Sequence, residues 1–258
     1  WKQPEVNNNM LKNLFSYVSL TTFLFLTMTG ISFAAQFQFP SKIKYDIFVG
    51  GTKSASSDFA VESPRSKAGM LPMYRLSFGN FQGLGFTSRD KIYTVVFQDT
   101  LSLSKTMLIR GKEKVYEMKA KKAQGMFGDE ETDVFVYQEE SLAGPIETEP
   151  YTPYPVIDLL SLFLVASESV ATGKKGPQNL SFFVKRSTEV VQLEQVGNAS
   201  ISYQGQTVQT TKVVLTYQGR EAFKLYIYRD KNGFSFPVQF SIDDEQQGLV
   251  ELRATKAF

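Results

Sequence analysis

Hydrophobic and polar residues alternate along much of the chain. The two clearest segments have apolar residues at Phe223, Leu225 and Ile227, and at Phe236, Val238, Phe240 and Ile242. A period of two places one face on a core and the other in water, so both segments are predicted to be strands. Less regular forms of the pattern predict strands at 44–49, 74–81, 91–98, 106–110, 114–120, 132–138, 180–186, 189–196, 200–203, 208–217 and 249–254.

Short glycine-containing segments separate several of these strands. Gly50-Gly51, Gln204-Gly205 and Asn232-Gly233 have the composition of hairpin turns, because glycine and asparagine readily adopt a positive φ. Successive hairpins predict an antiparallel sheet or barrel, and they argue against alternating β–α–β units.

One segment departs from the strand period. Residues 156–170 are predicted to form a helix, with Asp158 near its start, where a carboxylate accepts hydrogen bonds from free backbone N–H groups. Leu159, Leu162 and Phe163 belong to a surface that is apolar nearly all round, which predicts burial. The predicted fold is therefore mostly β: a curved antiparallel sheet or half-barrel packed around one buried apolar helix.

The N-terminal region has the pattern of a secretory signal peptide. Residues 1–9 are interpreted as an upstream extension, and residues 10–34 supply a basic start, an apolar stretch and the small-residue sequence Ser32-Phe33-Ala34. Cleavage is predicted before Ala35, which leaves 35–258 as a single β-rich domain in the periplasm. The alternative is an uncleaved membrane anchor, because the apolar stretch is just long enough to span a bilayer.

Two residue types are absent from the sequence. The 258-residue chain has no Cys and no His, and its formal net charge is +2. Disulfides, thiolate ligands, Ser–His–Asp catalysis and His-ligated zinc are therefore excluded. The near-neutral charge does not favour binding to nucleic acid. We expect no metal and no cofactor, and enzymatic activity is the less favoured class.

Two charged segments each have a binding interpretation and an ordinary one. The acidic segment 128–133 could offer oxygen ligands to Ca²⁺, but it lacks the spacing of a calcium loop and is interpreted as a solvated turn. The basic segment 110–122 could meet anionic lipid headgroups. Lysines that alternate on one strand face usually face solvent, and this is the interpretation favoured here.

Three stretches carry a family resemblance. They are the strand that begins at Tyr45 and ends in Gly50-Gly51, the helix start Asp158-Leu159-Leu160-Ser161, and a closing pattern with Asp230, Pro237 and Glu251. Together they resemble the bacterial envelope family known as domain of unknown function 3108, over about residues 40–258. The chain departs from that family at Thr52-Lys53-Ser54, where the pattern has an apolar residue and another glycine. The resemblance implies export, a curved antiparallel sheet and no established activity.

These observations predict a soluble periplasmic binding module for an apolar ligand, such as a lipid or acyl chain. The predicted ligand-lining residues are Phe182, Phe223, Ile227, Phe236, Phe240, Leu159, Leu162 and Phe163. The more common fate of such apolar faces is that they pack only on one another. The second hypothesis is a scaffold that binds an envelope protein through an edge strand or an apolar patch. The third is a His-free hydrolase that uses two of Asp158, Asp230 and Glu251.

Overall fold

The computed structural model describes residues 37–63, 72–79, 87, 89–124, 131–139, 147–149, 154–184, 187–244 and 248–258. The predicted signal peptide at 10–34, the upstream extension at 1–9 and residues 128–130 of the acidic segment lie outside these residues. The ends of two predicted strands, at 80–81 and 185–186, also lie outside them.

The described residues form fifteen strands and one helix. The strands are β1 (Lys42–Val49), β2 (Thr52–Glu62), β3 (Met73–Gly79), β4 (Asp90–Phe97), β5 (Leu103–Arg110), β6 (Glu113–Gln124), β7 (Glu131–Glu139), β8 (Glu147–Glu149), β9 (Val156–Ile157), β10 (Gln178–Val184), β11 (Ser187–Tyr203), β12 (Gln206–Tyr217), β13 (Arg220–Arg229), β14 (Ser235–Asp244) and β15 (Gly248–Ala257). The helix, α1, is Leu159–Ala171.

All fifteen strands belong to one open sheet. Its strand order is β8-β7-β6-β5-β4-β3-β2-β1-β15-β14-β13-β12-β11-β10-β9. Neighbouring strands are antiparallel except for β9 and β10, which are parallel. Because β1 pairs with β15, the first and last strands meet in the middle of the sheet. All other neighbours in the sheet are consecutive strands of the chain, which confirms the predicted succession of hairpins.

The sheet curves around α1. The helix contacts β13 and β14 on one side and β3 and β4 on the other. Tyr116 on β6 and Phe183 on β10 lie near opposite ends of the strand order, yet their ring centroids are 6.3 Å apart. The fold is therefore mostly β, with a curved, largely antiparallel sheet packed around one buried helix, as the sequence pattern predicts.

The helix begins three residues later than predicted. Asp158 has an extended backbone conformation and caps the helix, so the first helical residue is Leu159. Val156 and Ile157 instead pair with Ser181 and Phe182 as strand β9. The prediction that this segment is buried is confirmed, since nine of its thirteen helical residues are buried.

Two further differences concern strands. Strand β2 is absent from the predicted set because its first residues, Thr52 to Ser54, are polar and exposed, and alternation with the core begins only at Ser57 and Phe59. The strands predicted at 189–196 and 200–203 are one continuous strand, β11. A bulge next to Gly197, whose φ is 149°, bends this strand without ending it.

Candidate functional site

Two residues of the family-like pattern meet in the core. Tyr45 on β1 is fully buried, and its hydroxyl donates a hydrogen bond of 2.7 Å to the carbonyl oxygen of Pro237 on β14. Burial raises the pKa of Tyr45 well above its ordinary value, and the nearby Tyr203 adds to the shift. The phenol is therefore a neutral donor that joins residues 192 positions apart in the sequence.

Asp158 anchors the start of the helix. Its carboxylate accepts hydrogen bonds from the backbone N–H groups of Leu160 and Ser161, at 3.1 and 2.9 Å, and from the hydroxyl of Thr94 on β4. The Thr94 hydroxyl in turn lies 3.2 Å from that of Thr106 on β5. This buried group fixes α1 against the N-terminal part of the sheet.

The remaining pattern residues also have structural partners. Asp230 accepts hydrogen bonds from the backbone of Asn232 and Phe234 in the β13–β14 turn, at 2.8 and 2.9 Å. Glu251 accepts from Gln239 at 2.7 Å and from Arg253 at 2.6 Å. Gly50 and Gly51 have φ of 56° and 81°, as the tight β1–β2 turn requires.

The three carboxylates considered for hydrolysis do not converge. Glu251 lies opposite Ser241 on β14. Asp230 lies at the turn before Ser235, so about 20 Å of strand separates the two carboxylates. Asp158 is engaged at the start of α1 instead. Each carboxylate is used as a cap, a turn residue or an ion-pair partner.

Six of the eight predicted ligand-lining residues belong to the buried hydrophobic core, and the other two, Leu159 and Phe223, are half-buried and pack against it. Phe163 and Phe240 have ring centroids 5.4 Å apart, and Phe223 lies 5.6 Å from Phe240 and 5.3 Å from Phe182. Leu162 is also fully buried. These side chains pack on one another around α1.

A separate groove opens at one end of the sheet. Its volume is about 570 Å³, and the β11–β12 turn, the β13–β14 turn and the C-terminal residues surround it. The aromatic residues that line it are Tyr203, Tyr228, Phe234, Phe236 and Phe258, and the polar ones are Gln204, Gln206, Asp230, Lys231 and Asn232, with Pro40 and Ala257 completing the wall. We refer to this site as the end groove.

Three rings form the floor of the end groove. Tyr203, Tyr228 and Phe236 contact one another with ring centroids 5.9 to 6.0 Å apart. Burial raises the pKa of Tyr203, with Tyr228 and Asp230 adding to the shift against a backbone hydrogen bond from Ala257 that lowers it. The Tyr203 phenol is therefore protonated at neutral pH. The Gln204 side chain donates to its hydroxyl oxygen at 3.1 Å.

Of the eight predicted lining residues, Phe236 lines this groove. In the sequence pattern, Asp230 is a turn residue, a position of the family-like pattern and a candidate carboxylate for hydrolysis, but the pattern gives no role to Tyr203 or Phe258. A partial signal was present, because aromatic residues flank the two turn sequences Gln204-Gly205 and Asn232-Gly233.

Comparison with known proteins bears on the fold. No family model matches the chain, and no curated protein matches it. A solved structure, a β-barrel-like protein of the domain of unknown function DUF1849 from Brucella abortus, is similar with a TM-score of 0.50 and 9% sequence identity, over 85% of this chain and 97% of that one. The chain is thus a β-rich module of a β-barrel-like fold. Within the described ranges, no helix has the length and apolar character needed to cross a membrane.

Proposed function

We propose that this protein is an exported binding module of the cell envelope that holds an amphipathic, lipid-like ligand in the end groove. The observation that carries the proposal is the pairing of an aromatic floor with a polar rim in one open site. An acyl chain can lie on Tyr203, Tyr228 and Phe236, while a polar headgroup meets the side chains of Gln206 and Lys231.

The size and chemistry of the groove support this ligand class. Ligand sites commonly occupy about 300–1,000 Å³ and combine apolar walls with a few polar groups. Each Å² of apolar surface that a chain buries contributes about 25 cal/mol. Around α1, by contrast, Phe163 and Phe240 are buried and already pack against each other, with ring centroids 5.4 Å apart.

Export forms part of the proposal. Cleavage before Ala35 would leave two residues ahead of Phe37, where the described sheet region starts. The carbonyl of Gln38 already accepts a hydrogen bond of 3.0 Å from the N–H of Ser235. A cut at that point therefore leaves the paired segment intact. N-terminal sequencing of the protein recovered from cells is expected to begin near Ala35, and retention of Lys12 in a membrane fraction would refute export with cleavage.

Ligand binding is tested by titration with a fluorescent fatty acid. Tyr228→Ser and Phe234→Ser are expected to weaken binding at least about tenfold, because each removes apolar surface worth more than about 1.4 kcal/mol. Tyr217→Ser and Phe48→Ser are the matched controls, since both residues are half-buried and lie outside the end groove. Absence of probe binding by the unaltered protein, or equal loss in groove and control variants, would contradict the proposal.

A protein partner is the second candidate function. Strand β10 pairs with β11 only up to Leu193. From Glu194 to Tyr203, β11 pairs with β12 on one side, and no strand of the described residues pairs with its other edge. An extended peptide can add to such an edge. A photo-crosslinking residue at the exposed Ser200 is then expected to give adducts in the cell envelope that the same residue at the exposed Thr255 does not give.

A further inference from the structure

The outward side of strands β3 to β6 is rich in cations. Among the side chains that the structure describes, its charged residues are Arg75 on β3, Lys91 on β4, Lys105 on β5, and Lys114, Glu117 and Lys119 on β6. The pairing register places Arg75, Lys105 and Lys119 in one row across the sheet, with Val95 between the first two. Lys91 and Lys114 share another row through Ile109. We call this surface the cationic sheet face.

Glu117 forms ion pairs with three of the lysines. Its carboxylate pairs with Lys105, with Lys119 at 2.9 Å and with Lys114 at 3.5 Å. Burial alone would raise the pKa of Glu117, but hydrogen bonds and charges from Lys105 and Lys119 lower it to about 2. The ionised carboxylate thus holds three ammonium groups close together, and the cluster keeps a net positive charge. Arg75 and Lys91 form no ion pair with any described residue.

Apolar side chains lie between the cations. Tyr93 is 37% exposed and sits opposite Met107 in the row between the two cationic rows. Half-buried Val95 and Ile109 occupy neighbouring positions on the same face. An aromatic and aliphatic strip flanked by lysines suits the boundary between headgroups and acyl chains of a bilayer, where Tyr is enriched and Lys extends towards phosphate.

On the described strands β1, β2 and β15, positive and negative charges are closer to balance. Six of the charged residues on these strands form three ion pairs, Lys42 with Asp58, Lys53 with Asp46, and Arg253 with Glu251, at 2.6 to 2.7 Å. The excess on β3 to β6 is therefore a local property, although the whole chain carries a formal net charge of only +2.

We propose that the cationic sheet face docks the protein on an anionic phospholipid bilayer surface. Each lysine or arginine near such a surface contributes about 1 kcal/mol, and the five described cations of this face outnumber Glu117 together with Glu62, which lies opposite Arg75 on the neighbouring strand β2. The sequence pattern favours a solvent-exposed role for the basic segment 110–122, and the proposal adds membrane binding to that role. It also adds a membrane contact to the one expected from the predicted signal segment. The docking does not depend on what the end groove binds.

Vesicle co-sedimentation tests the proposal with the protein as it is recovered from cells. Arg75→Gln combined with Lys91→Gln removes two unpaired cations. The matched control is Lys212→Gln combined with Lys224→Gln, which removes the same charge from two lysines that contact Glu221 on β13. Vesicles of phosphatidylglycerol with phosphatidylcholine supply the anionic surface. Pure phosphatidylcholine vesicles measure any contribution from the apolar N-terminal region.

At low salt, the Arg75 and Lys91 double variant is expected to bind anionic vesicles about 30-fold more weakly, from about 1 kcal/mol per cation. The control pair should change binding much less, and salt near 0.5 M should abolish the difference by screening. Tyr93→Ser should weaken binding with its charge unchanged. Equal binding to anionic and neutral vesicles, or equal losses in the two double variants, would overturn the proposal. Retention on immobilised polyglutamate without vesicle binding would overturn it in favour of an acidic protein partner.

Discussion

Aromatic residues of this protein lie in two contrasting regions. Around α1, the buried Phe163 and the half-buried Phe223 each pack against the buried Phe240, with ring centroids 5.4 and 5.6 Å away. At the end of the sheet, Tyr203, Tyr228 and Phe236 make similar ring contacts, but polar turns surround them and the site is open. The residue types are alike. The difference is that a helix covers one cluster, whereas hairpin turns border the other.

The comparison of the two regions distinguishes residues that stabilise the fold from residues that can bind a ligand. The interior cluster gains its free energy on folding, because α1 and the sheet exclude water from it. The end groove keeps apolar surface partly in contact with water, and a ligand can remove that surface later. Substitutions in the two regions should therefore fall into two classes, one that changes the free energy of unfolding and one that changes affinity.

The largest difference is expected between two phenylalanines. Phe163→Ala should lower the free energy of unfolding by about 3–5 kcal/mol, because it leaves a cavity at the centre of the core. Phe234→Ala, in the wall of the end groove, should cost about 1 kcal/mol, the central value for point substitutions. Urea unfolding of both variants measures this. Similar costs would show that the two regions are not distinct in packing.

Two tyrosines give the next test. Tyr45→Phe removes the donor to the buried Pro237 carbonyl and should cost about 1–3 kcal/mol, whereas Tyr203→Phe should stay within about 0.5 kcal/mol. The folded pKa of Tyr45 lies above its unfolded value, so the contribution is present below pH 10 and is lost as the pH rises further. Unfolding followed from pH 8 to 11 should therefore show a smaller alkaline loss in Tyr45→Phe. An unchanged pH profile would contradict this role.

The smallest contrast concerns two aspartates that cap backbone N–H groups. Asp158→Ala should cost about 2 kcal/mol, near the upper end for a helix cap, because Thr94 also loses its acceptor. Asp230→Ala affects a part-exposed turn and should cost under about 1 kcal/mol. Thermal melts at one pH compare the two variants. A larger loss of stability in Asp230→Ala than in Asp158→Ala would contradict this prediction, because the turn at the end groove would then stabilise the fold more than the helix cap does.

Local sequence pattern predicted the elements that depend on neighbours in the chain. The alternation around Phe236 and Phe240 predicted their strand, the turn at Asn232-Gly233 predicted a hairpin, and the apolar run after Asp158 predicted a buried helix. Strand β2 lacks such a signal, since its first half is polar and exposed. Its pairing with β1 stabilises it, and pairing is not visible in a local pattern.

The end groove could not be predicted from the pattern. Its walls come from Pro40, Tyr203 and Phe258, which only the pairing of β1 with β15 and the length of β11 bring together. The contact between Tyr45 and Pro237 has the same origin. The residues that carry the family resemblance make core, turn and helix-cap contacts. Such contacts give a physical reason for the shared pattern, and this reason does not require that the proteins share an activity.

The location of a bound acyl chain tests the central claim most directly. Trp1 is the single tryptophan in the sequence and lies ahead of the proposed cleavage site, so the processed protein gives a tryptophan-free background for reporters. Phe234→Trp places an indole in the end groove and Phe223→Trp places one in the interior cluster. Titration with a brominated fatty acid, which quenches indole fluorescence on contact, is expected to quench the Phe234→Trp reporter and leave the Phe223→Trp reporter unchanged. Quenching of the interior reporter alone would contradict the account and place the ligand around the helix.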